Sequence, residues 1–169
     1  MSTPHGRDPA DSRLNHRYKP SSRRPTRGGV HIYINILMLH INLICLGKLK
    51  ESFWRDAETE YLKRLQPFAK IKIIELREES FDEKNNPETI KQKEAEKILK
   101  SIPENSFVIA LDSTGKQFTS PQLAQQLLNN PTIQQTNNIT FIIGGPLGLD
   151  ASILKTTQLK LSFSLFWAI

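Results

Sequence analysis

The sequence predicts an α/β fold with a mostly parallel sheet flanked by helices. Three observations carry this prediction. Five short apolar runs alternate with longer segments of helical periodicity. Proline or glycine marks most of the junctions between them. The 169 residues suffice for one such core but not comfortably for two. Regular alternation of strand and helix favours parallel strands joined by crossovers, with helices on both faces.

HINLICLG, residues 40 to 47, reads as a buried strand that ends at Gly47. SFWRDAETEYLKRLQ follows as an amphipathic helix. Phe53, Ala57, Tyr61 and Leu65 recur every four residues as its packing stripe, widened by Trp54, and Pro67 ends it. KIKIIELR is the second strand and EESFDEKNN a polar loop. PETIKQKEAEKILKSI is a charged helix that starts at Pro87 and packs through Ile90, Ile98, Leu99 and Ile102. SFVIALD is the third strand. A short turn with Gly115 leads to the helix SPQLAQQLLNN, with Ser120 as N-cap and Pro121 at its first position. NITFIIGG is the fourth strand, GLDASILKTT a helix and LKLSFSLF the fifth strand.

Charge is unevenly spread. Residues 1 to 37 hold seven Lys/Arg and two Asp, whereas residues 38 to 169 hold sixteen Lys/Arg and fifteen Asp/Glu. The basic excess is therefore an N-terminal property, and a nucleic-acid face on the body must be a local patch. The N-terminal stretch is rich in Pro, Arg and Ser without apolar periodicity. It reads as a disordered basic extension that precedes a domain spanning residues 38 to 169. Met38 opens MLHINLICLGKLK, a natural domain start, so residues 1 to 37 read as an upstream extension. The apolar run from Val30 to Gly47 is interrupted by His31, Asn35, His40 and Asn42, which argues against a membrane span or an export signal. Cys45 has no cysteine partner, which fits a reducing, cytoplasmic setting. All four histidines fall in the first 40 residues, and no group of Cys, His and acids has metal spacing.

Open parallel sheets bind ligands beyond the carboxyl ends of their strands. Three segments fall there: Leu111 to Gly115, Gly144 to Gly148, and Ser162 to Phe166. FIIGGPLGLD holds a GGxxG pattern, which is neither the dinucleotide pattern G-x-G-x-x-G nor a P-loop, since Leu149 and Asp150 follow the last glycine. Two readings stay open at this point: a plain strand-to-helix turn, or a turn whose bare backbone lies against a ligand.

The order of pieces adds to this. LICLGKLKESFW, EYLKRLQPFAKIKIIEL, KQKEAE, ALDSTGKQFTSPQLAQQL, FIIGGPLGL and LSFS together resemble the RlmH family over about residues 39 to 166. These are SPOUT-class methyltransferases of a pseudouridine in the large ribosomal subunit RNA. The resemblance implies a SPOUT-like α/β knot fold and S-adenosylmethionine as donor, acting at N3 of a pseudouridine of 23S rRNA. It also implies a cytoplasmic homodimer working on the ribosome. Carried over by position, Leu111 packs on the donor and Gly144 binds it through backbone. Phe163, Ser164, Leu165 and Phe166 match the start of the third binding loop.

After Phe166 the resemblance stops. The family continues with a Thr/Ser-aromatic-Pro-His run, a long helix and a basic tail, where this sequence reads WAI. The knot-completing C-terminal segment is thus expected to be missing, with weak or no methylation by the chain as written. Removal of the imide N3 proton needs an acceptor group, and no general base can be named; Asp112, near the site, reads first as a turn residue. The alternative function is a non-catalytic RNA-binding remnant that uses the basic extension with Lys48, Lys50, Arg55, Lys63 and Arg64. A flavodoxin-like nucleotide site rests on general topology alone.

Overall fold

Residues 38–80 and 86–163 are described in a computed structural model of the chain. The basic extension expected at residues 1 to 37 lies outside them, as does the middle of the polar loop before residue 86. The elements run β1 (Leu39–Leu46), α1 (Ser52–Leu65), β2 (Ala69–Leu76), α2 (Pro87–Ser101) and β3 (Phe107–Lys116). They continue with α3 (Ser120–Leu128), α4 (Pro131–Thr136), β4 (Asn138–Ile143), α5 (Ala151–Thr156) and β5 (Leu159–Leu161). The five strands form one sheet in the order β2-β1-β4-β3-β5, and every pair is parallel.

Strand periodicity divides the core between the two faces. Successive side chains alternate, so Val108 and Ala110 point one way and Phe107 and Ile109 the other. The first set packs with Ile44, Leu46 and Ile142 under Ala95 and Ile98 of α2 and Ile153 of α5. The second packs with Ile139 and Leu161 under Ile133 of α4, with Leu123 and Leu127 of α3 against it. Both faces of β3 are covered, which is why FVIA reads as an unbroken apolar run.

The helices start where side chains can satisfy their free N–H groups. Asn86 caps α2 ahead of Pro87, and Asn130 caps α4 ahead of Pro131. Thr119, rather than the expected Ser120, caps α3: its hydroxyl accepts from Gln122 N while the Gln122 side chain accepts from Thr119 N. The helix expected through Asn130 ends at Leu128, and a further short helix not expected from the sequence, α4, starts at Pro131 behind its Asn130 cap. Asn137 ends α4 in the left-handed region at φ 54° and turns the chain into β4.

Two packing expectations fail. The α1 stripe is mostly on the surface: Phe53, Trp54, Tyr61 and Leu65 are exposed, and α1 buries none of its residues. Its half-buried side is Ala57, Glu58 and Leu62, two of which lie off the apolar stripe. Helical spacing locates an apolar face but does not say what covers it. In α2, Ile90 and Ile98 are buried as expected, whereas Leu99 is exposed. The expected fifth strand ends early, at Leu161.

Asp150 caps α5, accepting from Ser152 N at 2.8 Å and Ser152 Oγ at 2.6 Å. The hydroxyl bond, then the backbone bond, holds its carboxyl below the usual carboxylate range. A depressed folded pKa means stabilisation that is present above the unfolded value and lost as pH falls through the folded one. Asp150→Ala is therefore expected to cost about 1 kcal/mol near neutrality. That cost should shrink below roughly pH 4, where the unfolded aspartate begins to protonate. Urea melts of both chains at neutral and acid pH measure this.

Candidate functional site

The site begins with a register. Leu111, at the end of the regular part of β3, pairs with Ile143 on one side and Leu161 on the other. The residues that follow those partners are Gly144 and Ser162. Three strand ends on neighbouring strands thus reach the same level, which brings Leu111, Gly144 and Phe163 to one edge of the sheet. Ser164, Leu165 and Phe166, also expected in the site, lie outside the described residues.

After Leu111 the chain leaves the sheet and returns. Asp112 Oδ1 accepts from Thr114 N at 2.8 Å and from Thr114 Oγ1 at 2.5 Å, closing a side-chain turn. Lys116 then rejoins the sheet and pairs with Leu161 a second time, across a break in register. Its carbonyl accepts from Ser162 N at 3.0 Å. The tip of β5 is therefore flanked by both ends of the 111–116 loop. Leu161 and Ser162 are buried, while Phe163, the next residue, is 76% exposed. Gly115 lets this happen. A Cβ there would sit 2.6 Å from the Leu161 carbonyl carbon and 2.7 Å from its nitrogen, too close for backbone to yield.

The glycine turn is built differently. Gly148 N donates to Gly145 O at 2.9 Å, and Gly148 takes a φ of +78° that other residues rarely adopt. Leu149 tucks back under Gly144, where a Cβ would meet its methyl at 2.9 Å. The turn is thus shaped by its own hydrogen bond and by Leu149.

Chemically, this edge offers bare backbone at Gly144 and Gly145, the half-buried side of Leu111 and the exposed ring of Phe163. Such a lining suits a flat, largely uncharged ring held by main-chain groups. It does not suit proton transfer. The Thr114 hydroxyl bond, the largest cause, lowers the Asp112 carboxyl below its ordinary range, so it is a weak proton acceptor. Among the described residues no group of three or more His, Cys, Asp or Glu could hold a metal ion.

A family model described as predicted SPOUT methyltransferase matches residues 39–167. The chain belongs to the SPOUT methyltransferase family. It is 43% identical over 129 residues to a ribosomal RNA large subunit methyltransferase H of Clostridium acetobutylicum, covering 75% of this chain and 80% of that one. The identity to the same-named protein of Halothermothrix orenii is 42% over 129 residues, with the same coverage. To that of Streptococcus pyogenes serotype M18 it is 44% over 130 residues, 75% of this chain and 81% of the relative. A SPOUT methyltransferase therefore carries the three strand ends described above.

Other sequence expectations sort themselves here. Of the five cations weighed for RNA binding, Arg55 donates to the carbonyls of Leu49 and Lys50, and Arg64 pairs with Glu60 at 2.8 Å. Those two serve the fold of α1 and its entry loop. Cys45 is half-buried, and burial first, then Glu75 and Glu58, pushes its thiol up, away from the reactive thiolate.

Sequence reading missed Glu94. It is 5% exposed and lies in α2 beside the glycine turn, where a Cβ on Gly145 would come within 3.8 Å of Glu94 Oε2. The signal was available: Ile90, Glu94 and Ile98 share one helical face, so an acid sits in a packing stripe.

The two glycines predict opposite outcomes. Gly115→Ala should destabilise the fold by about 2 kcal/mol through overpacking against backbone. Gly145→Ala, which meets nothing closer than 3.8 Å, should cost under ~1 kcal/mol. Denaturant melts of the two variants test the difference.

Proposed function

We propose that the chain is an S-adenosylmethionine-dependent methyltransferase acting at N3 of a pseudouridine in 23S ribosomal RNA, as a homodimer in the cytoplasm. The observation that carries this is the register that brings Leu111, Gly144 and Phe163 to one edge, the three places where the resemblance puts the donor. Family membership and the names of the relatives support the reaction class.

The residues present fit the donor. Leu111 and Phe163 provide apolar surface for an adenine ring, and the glycine turn provides main-chain groups without side chains in the way. Bound, the donor supplies an activated methyl group on a sulfonium. The chain's own work is to hold that group at a fixed angle to the acceptor nitrogen and to exclude water. The trefoil knot implied by the resemblance belongs to this reading. In it, the loop 111–116 is the part of the knot that the described residues form, and its clasp on Leu161 steadies the donor edge.

The homodimer finds support on α1. Trp54, Ala57, Tyr61 and Leu65 fall on one helical stripe, the Phe53 and Trp54 rings meet tilted at 45° with centroids 5.0 Å apart, and Phe68, just after the helix, is 70% exposed. Exposed large apolar side chains gathered on one helix and its end suit an interface. In this reading a second copy covers it.

Isothermal titration with S-adenosylhomocysteine tests the donor site. The chain should bind it, and Phe163→Ala should weaken binding by roughly three- to tenfold, the worth of one aromatic contact. Because Phe163 is exposed, the variant should melt like the parent. No binding by the parent chain would refute the reading. Methyl transfer into undermethylated ribosomes, followed by nucleoside analysis for N3-methylpseudouridine, tests the substrate. Tyr61→Glu should shift the sedimentation coefficient from dimer toward monomer.

A further inference from the structure

A second crevice, of about 560 Å³, opens on the other flank of the glycine turn. Leu111 and Leu161 lie toward β3 and β5. This crevice lies toward β1 and β2, between Pro146 and Leu147 of the turn, Ile90 and Glu94 of α2, and Glu78 to Ser80 after β2. The turn is thus a wall shared by two sites along one sheet edge. Methyl transfer needs two such neighbours, one for the donor and one for the acceptor.

Glu94 gives the crevice its chemistry. Its Oε1 accepts from Glu79 N at 3.1 Å, which spends that oxygen on the loop after β2. Among the described residues, none donates a hydrogen bond to its Oε2. Every closed-off side-chain polar atom among the described residues has a partner, so Oε2 keeps some open surface, and Glu94 lines the crevice. A carboxylate in a residue only 5% exposed, with one oxygen unused, is costly unless something donates to it. On one side its walls, Ile90, Pro146 and Leu147, are apolar, and Glu78, Glu79 and Ser80 close the other. A cation cage is a poor fit, since Glu79 is already paired with Lys97. Just outside, a groove of about 470 Å³ shares Glu78 and is lined by three cations, Lys48, Lys50 and Arg77, with Glu75 as a second acid. The arrangement is an acceptor oxygen beside an apolar wall, with cations at the rim. That is complementary to a ring with an N–H edge attached to a phosphate backbone.

We propose that this crevice holds the acceptor base, a uracil-type ring, with Glu94 Oε2 accepting its imide N–H while Lys48, Lys50 and Arg77 face the adjoining phosphates. The inference rests on the methyltransferase reading and adds to it a substrate-binding carboxylate.

The test uses the full chain saturated with S-adenosylhomocysteine and two RNA hairpins that differ at one loop position, pseudouridine or N3-methylpseudouridine. Fluorescence anisotropy reads both affinities. The parent chain should prefer the unmethylated hairpin by about tenfold or more, because a site built for an N–H rejects a ring that lacks it. Glu94→Ala should bring the ratio close to one without changing the affinity for S-adenosylhomocysteine. Glu94→Gln keeps the shape and an oxygen for Glu79 N, so it should melt like the parent yet lose about threefold or more of the ratio, since charged acceptors hold N–H groups more strongly. A parent chain that binds both hairpins equally, or a folded Glu94→Gln that keeps the full ratio, overturns the proposal. Failure of the parent to bind S-adenosylhomocysteine would instead strike the methyltransferase reading itself.

Discussion

The double pairing of Leu161 is the constraint on which the site depends. β5 is only three residues long, too short to hold its place by one row of hydrogen bonds at the edge of a sheet. It is held because both ends of the 111–116 loop pair with it, the Ser162 amide is bonded to Lys116 O, and Leu161 is buried against Phe107, Ile109 and Ile139. The cost is backbone proximity at Gly115, where no side chain fits. The benefit is that Leu111 and Phe163 are held at the same edge, next to Gly144. Loosening the clasp would separate Leu111 and Phe163 before it disturbed the rest of the core.

Around that clasp, the polar side chains divide into those that build and one that waits. Asp112 and Asp150 are consumed by turns and caps, and the hydroxyls they accept from keep them ionised. Glu79 is bound to Lys97, whose side-chain bond is the main reason its carboxyl sits low. Buried Thr140 is satisfied by Ser106 at 2.6 Å. Among the described residues of this neighbourhood, Glu94 combines burial with an oxygen to which none of them donates. An enzyme that transfers a methyl from a sulfonium asks little acid–base chemistry of its donor side and more of its acceptor side. Under the proposed function, the placement of polar groups matches that division.

The alternation of elements, the parallel sheet and the three strand ends were legible because they follow from periodicity and chain order, which are local. LICL, FVIAL and FIIGG could hardly be anything but strands leading into turns. The fate of α1 was not legible: Phe53, Tyr61 and Leu65 have the spacing of a core stripe, and whether the sheet or another surface meets them is decided by tertiary arrangement. Thr119 displaced Ser120 as cap because the decisive feature is the reciprocal bond with Gln122, three residues on. The second pairing of β3, at Lys116, was hidden because it depends on a strand forty-five residues later. Glu94 was hidden by habit, since a charged residue in a charged helix passes for surface until its position on the Ile90–Ile98 face is counted.

The central claim is that three separate strand ends form a single ligand site. Amide hydrogen exchange with and without S-adenosylhomocysteine tests it most directly, because it reports every segment at once. The account predicts that added ligand slows exchange together at residues 111–116, 144–149 and 161–163, leaving the α3–α4 surface unchanged. Protection confined to one of those segments, or found along α3 and α4 instead, would contradict it.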